Sequence, residues 1–147
     1  MTGSYNIEDK SVMINATKAQ NKSRLQELID FAKISGFTRL GIATCKVLQP
    51  YADKLAELLK SAGFEVYTIN CRESGLDSSI ICEEMSGSCC DPLSQADYLN
   101  SMQTELNIEV GLCLGHGLLF RKYSKAMVTT FLVKDFATKH KTIQNLE

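Results

Sequence analysis

No apolar run in this 147-residue chain is long enough to cross a bilayer, which takes about 20 consecutive apolar residues. The chain has no basic block and no acidic tail, and its formal net charge is only -1. That balance leaves no electrostatic footprint for nucleic acid or for a membrane surface. No internal repeat or low-complexity linker interrupts it. One domain over residues 1–147 is therefore the expectation, large enough to bury a core without disulfide staples. The polar stretch Met1 to Lys10 leads us to expect no secretory signal, and with that a cytoplasmic protein. The Cys-x-x-Cys pairs of a zinc ribbon are missing, as are the P-loop and the dinucleotide glycine fingerprint.

What the chain does have is six cysteines in a compartment that keeps thiols reduced. Ligands, reactive thiols or buried apolar residues are then better explanations than disulfides. Their positions matter more than their number. Cys45, Cys71 and Cys113 each close a short apolar run that reads as a strand, and Cys90 directly precedes a helix start.

The pattern around them alternates. Two helices are expected over residues 7–20 and 23–35. In the first, Ile7, Val12, Met13 and Ala16 form the apolar side; in the second, Leu25, Leu28, Ile29 and Ala32 do so. Strands follow at 37–44, 64–70, 107–112 and 126–133. Helices fill the gaps: one from Pro50 to Gly63, one from Asp91-Pro92 to about Thr104, and a short helix or turn within 115–125. Residues 72–89 read as a loop with a helical turn near 80–85, and such a long loop is more often functional than decorative. With no hairpin signal, this predicts an α/β fold: a three-layer αβα arrangement around a parallel four-stranded sheet, Rossmann-like or flavodoxin-like, in the order 2-1-3-4. The topological switch point then falls between Cys45 and Cys113, at the carboxyl edge where such sheets bind ligands.

The candidate site residues are therefore Cys45, Cys71, Cys90, Cys113 and His116, with a small-molecule ligand at the sheet edge as a possible partner. Thiolates bind soft metals. Zinc needs its four sulfurs within about 4 Å of one another, whereas an iron–sulfur cluster offers a wider cage that suits strand ends better. His116 keeps a three-cysteine, one-histidine zinc site open. Cys90, just outside a helix N-terminus, is expected to be the most thiolate-like cysteine. Cys82 is expected to pack and Cys89 to be a bystander. Lys134-Asp135 is expected to be a solvated strand end, although it closes the fourth strand at the same edge. His140 is expected to be exposed. Two metal-free readings stay open beside these: a thiol redox or sulfur-transfer protein, and a binding domain with buried cysteines. The residues leave open whether the chain is an enzyme.

Cys90-Asp-Pro-Leu-Ser-Gln-Ala-Asp-Tyr-Leu-Asn100 and Leu106-Asn-Ile-Glu-Val-Gly-Leu-Cys-Leu-Gly-His116 resemble a family of bacterial and archaeal predicted metal-binding proteins. Its pattern is C-N-P-x-x-Q-A-x-x-L-N, then L-N-I-x-x-G-L-C-x-G-H-D, then K-D-R and H-N-P. The resemblance runs from about Leu25 to His140. It implies metal binding by Cys45, Cys71, Cys90, Cys113 and His116, and it also matches Gln95 and Asn100. The chain departs from the pattern where Gly117 replaces the aspartate, where Lys134-Asp-Phe136 replaces K-D-R, and where His140-Lys-Thr142 replaces H-N-P. It also lacks the family's N-terminal cysteine cluster.

Overall fold

The computed structural model describes residues 3–147. They fall into two compact units, one ending at Thr38 and one spanning Arg39–Glu147.

The first unit holds two helices, α1 (Ile7–Ala19) and α2 (Arg24–Ile34). Each opens on a side-chain cap. Asn6 accepts from the Asp9 amide at 2.8 Å and Ser23 from the Gln26 amide at 3.1 Å, satisfying donors that a helix start leaves free. Leu28 and Ala32 are buried on α2, as their spacing predicts. On α1 the inward side differs from expectation. Ile7 and Met13 are exposed, and the covered positions are Val12, Ala16 and Ala19. These recur at i, i+4 and i+7, whereas Ile7 lies in the first turn, outside that stripe.

The second unit alternates β1 (Arg39–Thr44), α3 (Gln49–Ser61), β2 (Glu65–Asn70), α4 (Pro92–Ser101), β3 (Leu106–Val110), α5 (Leu114–Tyr123) and β4 (Met127–Leu132). All strand pairings are parallel, and the order is β2-β1-β3-β4, as expected. Right-handed crossovers put α3 on one face and α4 with α5 on the other. On the α4–α5 face, Ala43, Ile69, Ala96, Leu99, Leu112 and Phe120 form one apolar cluster. The registers bring three strand ends level: Thr44 pairs with Asn70 on one side and Val110 on the other. Each chain then leaves the sheet at the same edge.

Two elements stop earlier than their apolar pattern suggests. α4 ends at Ser101 because Gln103 is left-handed, with φ 55°, and the Thr104 hydroxyl donates back to the Leu99 carbonyl at 3.2 Å. β3 ends at Val110 because Gly111 turns left-handed at φ 71°. Its amide then donates to the Leu132 carbonyl at 2.7 Å. Residues 72–89 form a loop pinched at its neck by an antiparallel bridge between Asp77 and Ser88. The turn within it is a 3₁₀ turn at Ser78–Ile80, earlier than expected. Among the described residues no helix is long and apolar enough to cross a membrane.

Candidate thiolate centre

Cys45 follows β1 directly and caps the 3₁₀ turn that leads into α3. Cys71 follows β2 directly. Cys90 precedes Asp91, the N-cap of α4, whose carboxylate accepts from the Ser94 amide at 3.1 Å. Cys113 is itself the N-cap residue of α5. Cys113 thus stands at the start of α5 and Cys90 one residue before the cap of α4, while Cys45 stands at a 3₁₀ turn.

The sulfurs form a continuous path. Cys90 Sγ lies 3.4 Å from Cys71 Sγ. Cys71 is near enough to Cys45 for the two thiols to influence each other's ionisation. Lys134 then spans the other half of the site, its Nζ 3.2 Å from Cys45 Sγ and 3.1 Å from Cys113 Sγ. Backbone amides contribute as well, with Lys46 N–H directed at Cys71 Sγ at 3.4 Å.

Burial and charge compete at each group. Burial pushes the Cys45 thiol up. The Val47 amide, the Lys134 ammonium and the Cys71 thiol outweigh it and hold Cys45 below its ordinary range. Burial pushes Cys71 up as well; its Lys46 amide contact only partly offsets this, and neighbouring Cys90 and Cys45 add to it, leaving Cys71 at about 11. Burial would lower Lys134, but the sulfurs of Cys113 and Cys45 hold it above its usual range. Lys134 therefore stays an ammonium and, with the Val47 amide, favours the thiolate form of Cys45.

The structure departs from expectation at several neighbours. Lys134 is not a solvated strand end but the cation of the site. A compact tail holds it there. The Asp135 amide donates to His140 Nδ1 at 3.0 Å, and the His140 amide donates to the Asp135 carbonyl at 2.7 Å. The Asn145 side-chain amide donates to the Asp135 carboxylate at 2.7 Å. His140 is accordingly half-buried rather than exposed, its ring edge-on to Phe136 at 5.4 Å. Cys82 does not pack: it is exposed on the loop, while Cys89 is half-buried. His116 lies in the first turn of α5, half-buried, and makes no described hydrogen bond to the four sulfurs. Among the described residues no three His, Cys, Asp or Glu side chains close around the position of a single metal ion. An apolar pocket of about 180 Å³, lined by Tyr51, Leu55, Leu58, Val110, Phe131 and Leu132, contains none of the sulfurs.

The resemblance picked out Gln95 and Asn100 without a role, and the structure makes them supports beneath the site. Gln95 is fully buried, and its amide nitrogen donates to the Thr44 and Ile69 carbonyls at 3.1 Å each. It clamps β1 and β2 just below Cys45 and Cys71. The buried Thr44 hydroxyl donates to the Val110 carbonyl at 2.8 Å, tying β1 to β3. Asn100 joins α4 to the end of α5, donating to the Tyr123 carbonyl and accepting from the Lys125 amide, both at 2.9 Å. A polar residue inside an apolar helix face was the available signal for Gln95.

A family model described as a protein of unknown function, DUF1847, matches residues 3–131. The chain belongs to the DUF1847 family. It is 43% identical over 141 residues to the uncharacterised protein MJ0455 of Methanocaldococcus jannaschii, a match covering 92% of this chain and 72% of that protein. No solved structure matches it. Within this DUF1847 chain the residue after His116 has a structural explanation. A Cβ at Gly117 would collide with the carboxylate of Glu109, which Arg121 holds through Nε and Nη2 at 3.2 and 2.8 Å. The Glu109–Arg121 pair fills the space that a side chain at position 117 would need.

Proposed function

We propose that this protein binds a metal centre through Cys45, Cys71, Cys90 and Cys113, and that the bound group is an iron–sulfur cluster rather than a single zinc ion. The observation that carries the reading is that four separate segments deliver four sulfurs to one sheet edge, Cys71 beside Cys90 and Cys45 and Cys113 joined by the Lys134 ammonium. Such a setting favours a thiolate-ligated group of net negative charge. Spacing supports the cluster. Zinc keeps its sulfurs within about 4 Å of one another. Cys71 and Cys90 meet that spacing, but Cys45 and Cys113 flank the Lys134 ammonium. A cluster held by all four thiolates would supply electron transfer. Lys134 and the amides of Lys46 and Val47 would then stabilise charge on the sulfurs.

Lys134 also favours a second reading. An ammonium in contact with two sulfurs can stabilise thiolates without any metal, as in a thiol redox protein. One experiment separates the two. The protein is purified without oxygen, reconstituted with iron and sulfide, and analysed for metal, acid-labile sulfide and visible absorption. Bound iron and sulfide in equal amounts with a visible charge-transfer band are expected. Stoichiometric colourless zinc would replace the cluster with a zinc site. Retention of neither would leave the thiol reading.

A further inference from the structure

We propose that Cys71 and Cys90 are a redox modification site, closing to a reversible intramolecular disulfide by exchange with a low-molecular-weight disulfide. Their sulfurs already lie 3.4 Å apart. A disulfide bond is about 2.05 Å long, so small side-chain rotations close the gap. Their backbones are tied too, since the amide of Asp91, next to Cys90, donates to the Cys71 carbonyl at 2.7 Å. The two residues stand at the feet of the 72–89 loop. Its neck is closed by the Ser78 amide donating to Gly87 at 2.8 Å and the Cys89 amide donating to Leu76 at 3.0 Å. Bond formation therefore needs no rearrangement of the loop. The other four thiols are placed differently: Cys45 and Cys113 are both engaged by Lys134, Cys82 is exposed on the loop, and Cys89 is half-buried and adjacent to Cys90 in the chain.

Burial sets the order of events. Cys71 is 2% exposed, whereas Cys90 is only half-buried and a small disulfide can reach it. The Cys90 thiolate attacks one sulfur of the disulfide, forming a mixed disulfide; the other half leaves as a thiolate and takes up a proton. Cys71 then gives its proton to solvent and its sulfur attacks Cys90 Sγ. The mixed disulfide breaks and the second half leaves as thiolate. Two protein thiols lose two electrons, and the small disulfide is reduced to two thiols. Resting on the metal-centre reading above, one consequence is that oxidation withdraws two of the four sulfurs and releases the bound group.

The test uses the full chain, reduced, stripped of metal by chelation and titrated with oxidised glutathione. Free thiols are then alkylated and mapped by peptide mass spectrometry. Alkylatable cysteines should fall from six to four, with one linked peptide joining Cys71 to Cys90, and dithiothreitol should restore all six. In Cys71→Ser, glutathione should remain attached at Cys90. Linkage of any other pair, six labels retained, or glutathione resting on Cys90 of the unsubstituted protein without a link would overturn the proposal. The unsubstituted protein gives the decisive map, so a poorly folding variant does not obscure it. Metal is absent from this assay, so its failure is distinct from failure of the iron and sulfide reconstitution.

Discussion

Lys134 is the residue that most changes how the site is understood. Its ammonium touches Cys45 and Cys113 and lies 5.1 Å from the centre of the Phe136 ring. A cation at contact distance favours the charged form of a thiol. Because Cys45 is held below its ordinary value of 9.0, its ionisation stabilises the fold above that value, and this contribution is lost as pH falls through the folded-state value. In metal-free protein, Lys134→Met should remove the ammonium's share of this effect and leave that of the Val47 amide. Alkylation of Cys45 at mildly acidic pH should slow clearly, because less of it is thiolate. Lys134→Arg should keep at least half of the wild-type rate. Equal rates in wild type and Lys134→Met, read by peptide mass spectrometry, would mean that the amides alone set the Cys45 thiolate.

At the scale of elements, the centre depends on where strands stop and helices begin. β3 leaves the sheet at Gly111, whose left-handed φ of 71° favours a residue without a Cβ. A Cβ there would also collide with the Leu48 side chain, in the turn that follows Cys45. Position 111 thus sets both the course towards Cys113 and the packing behind Cys45. Gly111→Ala should destabilise the protein by about 2 kcal/mol, the usual scale of left-handed strain, measured by urea denaturation. It should also change the alkylation rates of Cys45 and Cys113 while leaving Cys82 unaltered. A loss below about 0.5 kcal/mol would show that the turn relaxes without strain. α4 contributes differently. Its Asp91 cap fixes where the helix starts, and Gln95 one turn later locks the β1 and β2 ends beneath the thiols.

For the whole molecule, the parallel order β2-β1-β3-β4 brings distant cysteines together. Cys45 and Cys113 are 68 positions apart in the chain, yet both contact the same ammonium. Bound metal stabilises a fold because it binds the native state in preference to the unfolded one. After iron and sulfide reconstitution, Cys45→Ala and Cys113→Ala should therefore each lose most of the bound iron and unfold at a lower temperature. Cys82→Ala, at an exposed loop position, should keep full iron content. Equal iron loss in all three variants, or in none, would refute this choice of ligands.

The sequence by itself determined the alternation of helices and strands, the parallel sheet and the placing of Cys45, Cys71, Cys90 and Cys113 at element ends. These features rest on local signals: apolar periodicity, Asp91-Pro92 as a helix start, and glycines at stops. The order 2-1-3-4 is one of the few that crossover handedness allows, and the strand pairings of the structure select it. Tertiary structure alone decided the partners. Lys134 meets Cys45 across 89 positions of chain, and no local pattern encodes a contact between a lysine and thiols on other strands. The same holds for Gln95 beneath β1 and β2, for the closure of the tail around Asp135, and for the exposure of Cys82. Such contacts arise when packed elements bring side chains together at a sheet edge, where burial and charge then set which sulfur is ionised.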